Sequence, residues 1–246
     1  MNSNFMYKNK NRKLTFFAII FVVLALCFGL LSAQLNLTLS ADAEESGPVS
    51  VWDGSSDMSW FSHSTNTFTL TSAAQLRGLA DMAINGFDFS PYTIKLGTNV
   101  DLNGLEWKPF KNYGGTFDGQ GHYISNGKIV GSDSNGTGFF GVLNKITYIK
   151  NLTFKNMDIR SKVLMRMAIV AGGNTADGTT FSNVNVKNSF VFGAPSKDTK
   201  FGSYAGVNYD GHNYVSAFIP ESTAAIKIEN CGIYNTMISG GYKSGG

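Results

Sequence analysis

Residues 149–159 read IKNLTFKNMDI, residues 181–191 FSNVNVKNSFV and residues 228–238 IENCGIYNTMI. Asparagine holds the third and eighth place in all three: Asn151 and Asn156, Asn183 and Asn188, Asn230 and Asn235. Places one, four, six and eleven are apolar: Ile149, Leu152, Phe154 and Ile159; Phe181, Val184, Val186 and Val191; Ile228, Cys231, Ile233 and Ile238. Places four and six alternate with polar residues, the period of a strand with one buried face. A helix would need a spacing of three to four, and the Asn and Gly content disfavours one. A shorter copy, ISNGKIV (124–130), precedes these three.

A strand-forming phrase repeated every few tens of residues predicts stacked coils, each adding one strand per face. The expected fold is all-β, a parallel β-helix (β-solenoid). The six asparagines then form two columns whose side-chain amides can hydrogen-bond from coil to coil at the corners. Asparagine also tolerates the left-handed backbone that such corners require. Asp118-Gly119, Asp177-Gly178 and Asp210-Gly211 lie between apolar segments, as tight turns do. Glycine phrases recur at GFFG (138–141), AGGN (171–174) and AGVN (205–208), where close backbone approach is expected.

IVAGGNTADGTTFSNVNVKNS (169–189) resembles the repeat of the GLUG-motif family, a glycine-rich strand, a G-T turn and an I-x-N-C/V-x-V phrase. GFFGVLNKITYIKNLTF (138–154), and AGVNYDG followed by IKIENCGIYN, repeat the same order. The upstream stretch from AAQLRGLADMAI to GTFDGQGHYISN is similar to the segment that introduces these repeats in bacterial surface proteins, so the likeness covers about residues 52–246. The phenylalanine pair of GFFG, the missing second glycine of AGVN and an insertion in the last coil depart from the pattern. The resemblance implies a secreted or surface-attached bacterial protein, commonly one module of something larger.

The first 43 residues read as a signal peptide. Lys8, Lys10, Arg12 and Lys13 precede an apolar run from Phe16 to Leu31, and Ala41-Asp42-Ala43 is a cleavage site, with Leu31-Ser32-Ala33 as a second candidate. An uncleaved anchor is the competing expectation. Export, to the medium or the cell surface, follows from either, and the membrane is met only through this segment. These residues hold four of the 20 basic residues and one of the 17 acids, leaving 16 of each beyond Ala43. A neutral chain does not ask for nucleic acid. Cys231 is the only thiol left, at the place of Leu152 and Val184, and reads as a small buried hydrophobe.

Residues 44–95 are expected to cap the first coil, with residues 96–246 forming the solenoid. Ser72 and Gln75 make a capping box for a helix over 73–84, with Leu76, Leu79, Ala80 and Ala83 on one stripe and Asn85-Gly86 ending it. Such a cover protects open strand edges. Trp52, Trp60 and Trp107 read as core of this cap, with stacking on sugar rings as the alternative. The last phrase, ISGGYKSGG, is followed by neither a cover nor a wall-sorting signal, so the 246 residues are expected to be an incomplete product or a fragment.

Chemistry-bearing residues are sparse. Polysaccharide-cleaving sites on β-helices need paired carboxylates or a base beside acidic calcium ligands. Of Asp101, Asp118, Asp177 and Asp210, three precede glycine in turns. His63, His122 and His212 share no metal-ligand spacing, and DSNG (133–136) begins a calcium loop whose twelfth place is Asn144 rather than glutamate. No catalytic residue, metal ligand or cofactor is assigned. The step from Asn151 to Asn183 is 32 residues and from Asn183 to Asn230 is 47, and the extra fifteen are placed around YDGHNYVSAFIPEST (209–223). Tyr209, His212, Tyr214 and Phe218 are the candidate binding residues of that loop, for a glycan, an extracellular-matrix protein or a host-surface protein. The alternative is a loop folded onto its own coil. The expected function is a non-enzymatic stalk or adhesive module. The competing one is a carbohydrate-active β-helix, or the non-catalytic front of a larger surface hydrolase or protease.

Overall fold

A computed structural model describes residues 47–131, 136–161, 166–193, 214–239 and 243–245. The first 46 residues, Asp210-Gly211 and the AGVN phrase lie outside them. The described residues are mostly strand, with one helix. In chain order the first part holds β1 (Val49–Val51), β2 (Thr67–Leu70), α1 (Ala73–Ile84), β3 (Thr93–Leu96), β4 (Asn99–Asp101), β5 (Gly115–Asp118), β6 (Tyr123–Ser125) and β7 (Lys128–Gly131). Next come β8 (Val142–Leu143), β9 (Thr147–Lys155), β10 (Asp158–Ser161), β11 (Arg166–Met167), β12 (Gly173–Asn174), β13 (Thr179–Lys187) and β14 (Phe190–Phe192). The last are β15 (Tyr214–Ser216), β16 (Ile226–Glu229), β17 (Gly232–Tyr234), β18 (Met237–Ser239) and β19 (Lys243–Gly245).

Among the described residues every strand pairing is parallel, and the repeated phrase sets the register. Ile149 pairs with Phe181 and Phe181 with Ile228; Phe154 pairs with Val186 and Val186 with Ile233. Ile129, Ile159, Val191 and Ile238 form a further row in β7, β10, β14 and β18. Two shorter parallel sheets accompany the curled main sheet, β8 with β12 and β11 with β15 and β19. A register slip of one residue would turn each apolar row to solvent, so the alternation specifies the pairing.

The interior is aromatic. Trp107 stacks on Phe139 at 4.8 Å, and Phe139 meets Phe154 at 5.1 Å edge to face. Phe139 and Phe140, the pair that departs from the glycine phrase, are both fully buried. Glycine is needed across from them: a Cβ on Gly172 would come within 2.4 Å of backbone atoms of Gly136 and Thr137. The AGG turn and the residues before GFFG therefore touch backbone to backbone.

The helix occupies Ala73–Ile84 with Ser72 as N-cap, its hydroxyl accepting from the Gln75 N–H at 3.2 Å. The Gln75 side chain reaches back to the Thr71 N–H at 2.8 Å, one residue earlier than a capping box places it. Leu76, Leu79, Ala80 and Ala83 are all buried. Arg77, buried too, spans helix and interior: it pairs with Asp81, donates to the Lys108 carbonyl at 3.0 Å and lies 5.0 Å over the Trp107 ring. Trp52 and Trp107 are core, which removes them as sugar platforms, and Trp60 is half-buried among Phe61 and Phe68.

Two expectations need correction. The parallel ladder begins well before residue 96, because β1 pairs with β4 and β2 with β3 in the same sheet that continues through β9 and β13. Cys231 is half-buried rather than buried, since its coil is the last in the sheet. Among the described residues no helix is long and apolar enough to cross a membrane.

Candidate functional site

The asparagine columns stand at the outer corners. Asn126, Asn151, Asn156, Asn183, Asn188, Asn230 and Asn235 all have φ between 44° and 56°, the left-handed region where asparagine is the least strained of the non-glycine residues. One column runs from Asp118 Oδ1 through Asn151 Nδ2 (3.0 Å) to Asn183 Nδ2, which donates to Asn151 Oδ1 at 3.1 Å. The other carries Asn126 Nδ2 to Asp101 Oδ1 (2.9 Å), Asn156 Nδ2 to Asn126 Oδ1 (3.2 Å) and Asn235 Nδ2 to Asn188 Oδ1 (2.9 Å). Asn156, Asn183, Asn188, Asn230 and Asn235 are exposed, so water competes with these bonds and the backbone conformation is the stronger reason for the residue type.

Of the carboxylates weighed for catalysis, Asp101 and Asp118 each cap a local turn, Asp177 reaches a backbone N–H 48 residues on, and Asp210 lies outside the described residues. Asp101 Oδ1 also accepts from the Asn103 N–H, Asp118 Oδ1 from the Gln120 N–H, and Asp177 Oδ1 from the Ala225 N–H. Burial works to raise the Asp118 carboxyl, but hydrogen bonds from Asn151 and Gln120 and the nearby Lys150 ammonium outweigh it and hold it below the usual range. His122 Nδ1 lies 3.2 Å from Asn99 Oδ1, and His63 sits edge-on to Phe61. Among the described residues no three His, Cys, Asp or Glu side chains gather as a metal site would require.

The candidate binding loop is redistributed by the register. Tyr209 and His212 lie outside the described residues. Tyr214 is half-buried in β15, paired with Arg166 of β11. Phe218 is only 6% exposed and meets Phe181 at 6.3 Å edge to face, which removes it as a contact for a partner. Backbone bonds from Ile169 to Ala217 and from Ala171 to Phe218 make AFIP (217–220) the counterpart of IVAG (169–172), a place that sequence inspection gave to AGVN. The extra residues therefore fall between Phe192 and Tyr214, not around 209–223.

A groove of about 570 Å³ runs over the outer face of the sheet beside Ser90, Thr116, Asn144, Lys145, Ile146 and Tyr148. Tyr148 lies on the outward phase of β9, between Thr116 and Thr180 in the row that begins with Thr67 and Thr93. Tyr148 is 46% exposed and has threonines on both sides in the row. At one wall Lys145 Nζ contacts Asp88 Oδ1 at 2.9 Å. The Ser90 hydroxyl, then Lys145, then the Ser90 N–H stabilise the ionised Asp88 and hold its carboxyl at about 2. A carboxylate so acidic accepts hydrogen bonds across the ordinary pH range but is poorly matched to carrying protons. An open aromatic face with polar neighbours at its edges suits the face of a sugar ring. In Ile146-Thr147-Tyr148-Ile149 the alternation puts Ile146 and Tyr148 outward and Thr147 and Ile149 inward. Comparison of this chain with family models, with curated proteins and with solved structures finds no match.

Proposed function

We propose that the chain is an exported β-solenoid of the bacterial surface, of the GLUG-repeat kind, that serves as a stalk or adhesive module rather than as an enzyme. The observation that carries this is the register. The repeated phrase returns beside itself coil after coil, in parallel pairing, with its asparagines at the corners. Repetition of this sort builds length and lateral surface from a small set of local contacts, the property of a spacer. The signal-like first 43 residues support export, and the neutral remainder supports a partner recognised by shape and stacking rather than by charge.

The ligand contact lies on the lateral groove, with Tyr148 as platform and a surface glycan or a glycosylated matrix protein as partner. The test is binding to a panel of glycans and extracellular-matrix proteins. Tyr148→Ala is expected to weaken the binding of a sugar ligand roughly tenfold while leaving the circular dichroism spectrum unchanged. Binding that Tyr148→Ala leaves untouched would remove the groove, and cleavage of any polysaccharide on the panel would overturn the non-enzymatic assignment.

A further inference from the structure

We infer that the lateral groove selects a polysaccharide carrying uronate sugars, with a sugar ring on Tyr148 and the carboxylates on Lys150 and Lys95. The inference rests on the reading of Tyr148 as a sugar platform and adds the class of sugar. Lys150 follows Tyr148 on the outward phase of β9, about 6.6 Å further along the strand. The row through Lys150 runs Thr69, Lys95, Asp118, Lys150, Ser182 and Glu229. Lys95 and Lys150 therefore flank Asp118, two ladder steps or about 9.6 Å apart.

One carboxylate stands between these two ammoniums, and it is already engaged. Asp118 Oδ1 accepts from Asn151 Nδ2 at 3.0 Å and from the Gln120 N–H at 3.0 Å, and Oδ2 lies 3.3 Å from Lys150 Nζ. The Asp118 side chain is 7% exposed and that of Lys150 45%, so the ammonium keeps donors on the open side of the sheet. Lys95 enters no ion pair among the described residues. Toward the corner the balance is reversed. Lys145 is held by Asp88 at 2.9 Å, and the exposed Asp177, which follows Ala176 of the groove lining, adds a second carboxylate. The sheet face is thus polarised, negative toward the corner and positive at Lys95 and Lys150.

A uronate carries its carboxylate directly on the ring, where a neutral hexose has a hydroxymethyl group. With the ring flat on Tyr148, one orientation brings that carboxylate within reach of the flexible Lys150 side chain and away from Asp88 and Asp177. The next sugar along the row meets Thr116 and the buried Asp118, and the one after it Thr93 and Lys95. An extended chain whose acids recur on one side at every second sugar therefore meets a lysine at each acid. The chain as a whole is neutral, so stacking supplies the platform and the lysines discriminate at short range.

The experiment is titration calorimetry of the full chain with hyaluronate and with polygalacturonate, each beside its carboxyl-reduced form, in which the acid has become a hydroxymethyl group. At least one acidic polymer is expected to bind roughly tenfold more tightly than its reduced form. Lys150→Gln and Lys95→Gln should each cut that preference by roughly threefold, and the two together should abolish it. Tyr148→Ala should weaken the acidic and the reduced forms alike. Both lysines lie on the outer face, so neither change threatens folding, which circular dichroism verifies. Equal binding of acidic and reduced forms, with Tyr148→Ala weakening both, overturns the uronate inference and leaves the platform standing. A preference for the acid that survives the double lysine change places charge recognition elsewhere and overturns it. Binding of the acid that Tyr148→Ala leaves untouched removes the platform and the inference with it, and binding of neither acidic polymer overturns the inference as well.

Discussion

The first and last coils are made of similar residues and have opposite fates. At the first end Leu70, Leu76 and Leu79 are fully buried, because α1 closes over strands that would otherwise end the sheet. At the last end Ile228 and Ile233 stand in the same kind of inward row and face solvent. In a ladder of parallel strands, burial is conferred by the neighbour on either side and not by the side chain itself. The hydrophobic contribution of a residue therefore depends on where its coil lies in the order.

Substitutions at the two ends should separate accordingly. Leu76→Ala leaves a cavity under the helix and should cost about 2–5 kcal/mol by denaturant unfolding, whereas Ile228→Ala, at a half-exposed residue, should cost below about 1 kcal/mol. Equal costs would mean that Ile228 is covered in solution. Gly78→Ala comes next. A Cβ there would stand 2.0 Å from the Asp57 carbonyl, so the helix must shift from the segment it packs against, at about 1–3 kcal/mol. The corner residues follow. Asn188→Ala should destabilise by about 1 kcal/mol through left-handed strain, while Asn188→Gly, which loses the amide but not the conformation, should cost only a few tenths. Equal losses for the two would show that the amide, rather than the backbone, holds the corner.

The smallest expected effect is on the pH dependence of the covered end. Asp88 titrates at about 2 when folded and roughly 3.9 when unfolded. Its depressed folded value contributes stability above the unfolded pKa, and that stability is lost as pH falls from about 4 through about 2. The group is more than half exposed, so screening limits the contribution to a fraction of a kcal/mol. Asp88→Asn should flatten the acid limb of the stability curve by that amount, and an unchanged limb would mean that Lys145 and Ser90 do not hold the carboxylate in solution.

Much of this was readable beforehand, for a local reason. The helix over 73–84, the pairing of the three phrases and the left-handed asparagines all follow from short-range pattern: capping residues, a two-residue alternation and residue-specific backbone preference. The groove was less legible. Tyr148 is unremarkable in TYI until Thr116 and Thr180 are seen to flank it from coils 32 residues away in either direction. The insertion was misplaced because AGVN matched the glycine phrase better than AFIP does. Position in a coil is decided by what fills the interior, and Ala217 and Phe218 fill it.

The amino-acid sequence by itself determined the strand phase, the corner residues, the helix and its caps, and the neutrality beyond Ala43, since each depends on neighbours a few residues apart. Only the tertiary structure decided that Phe218 is core, that Cys231 is half-buried and that Ile228 and Ile233 are exposed. Exposure depends on which side chains arrive from neighbours 32 to 47 residues away to fill the space beside a strand, and a local pattern does not report that.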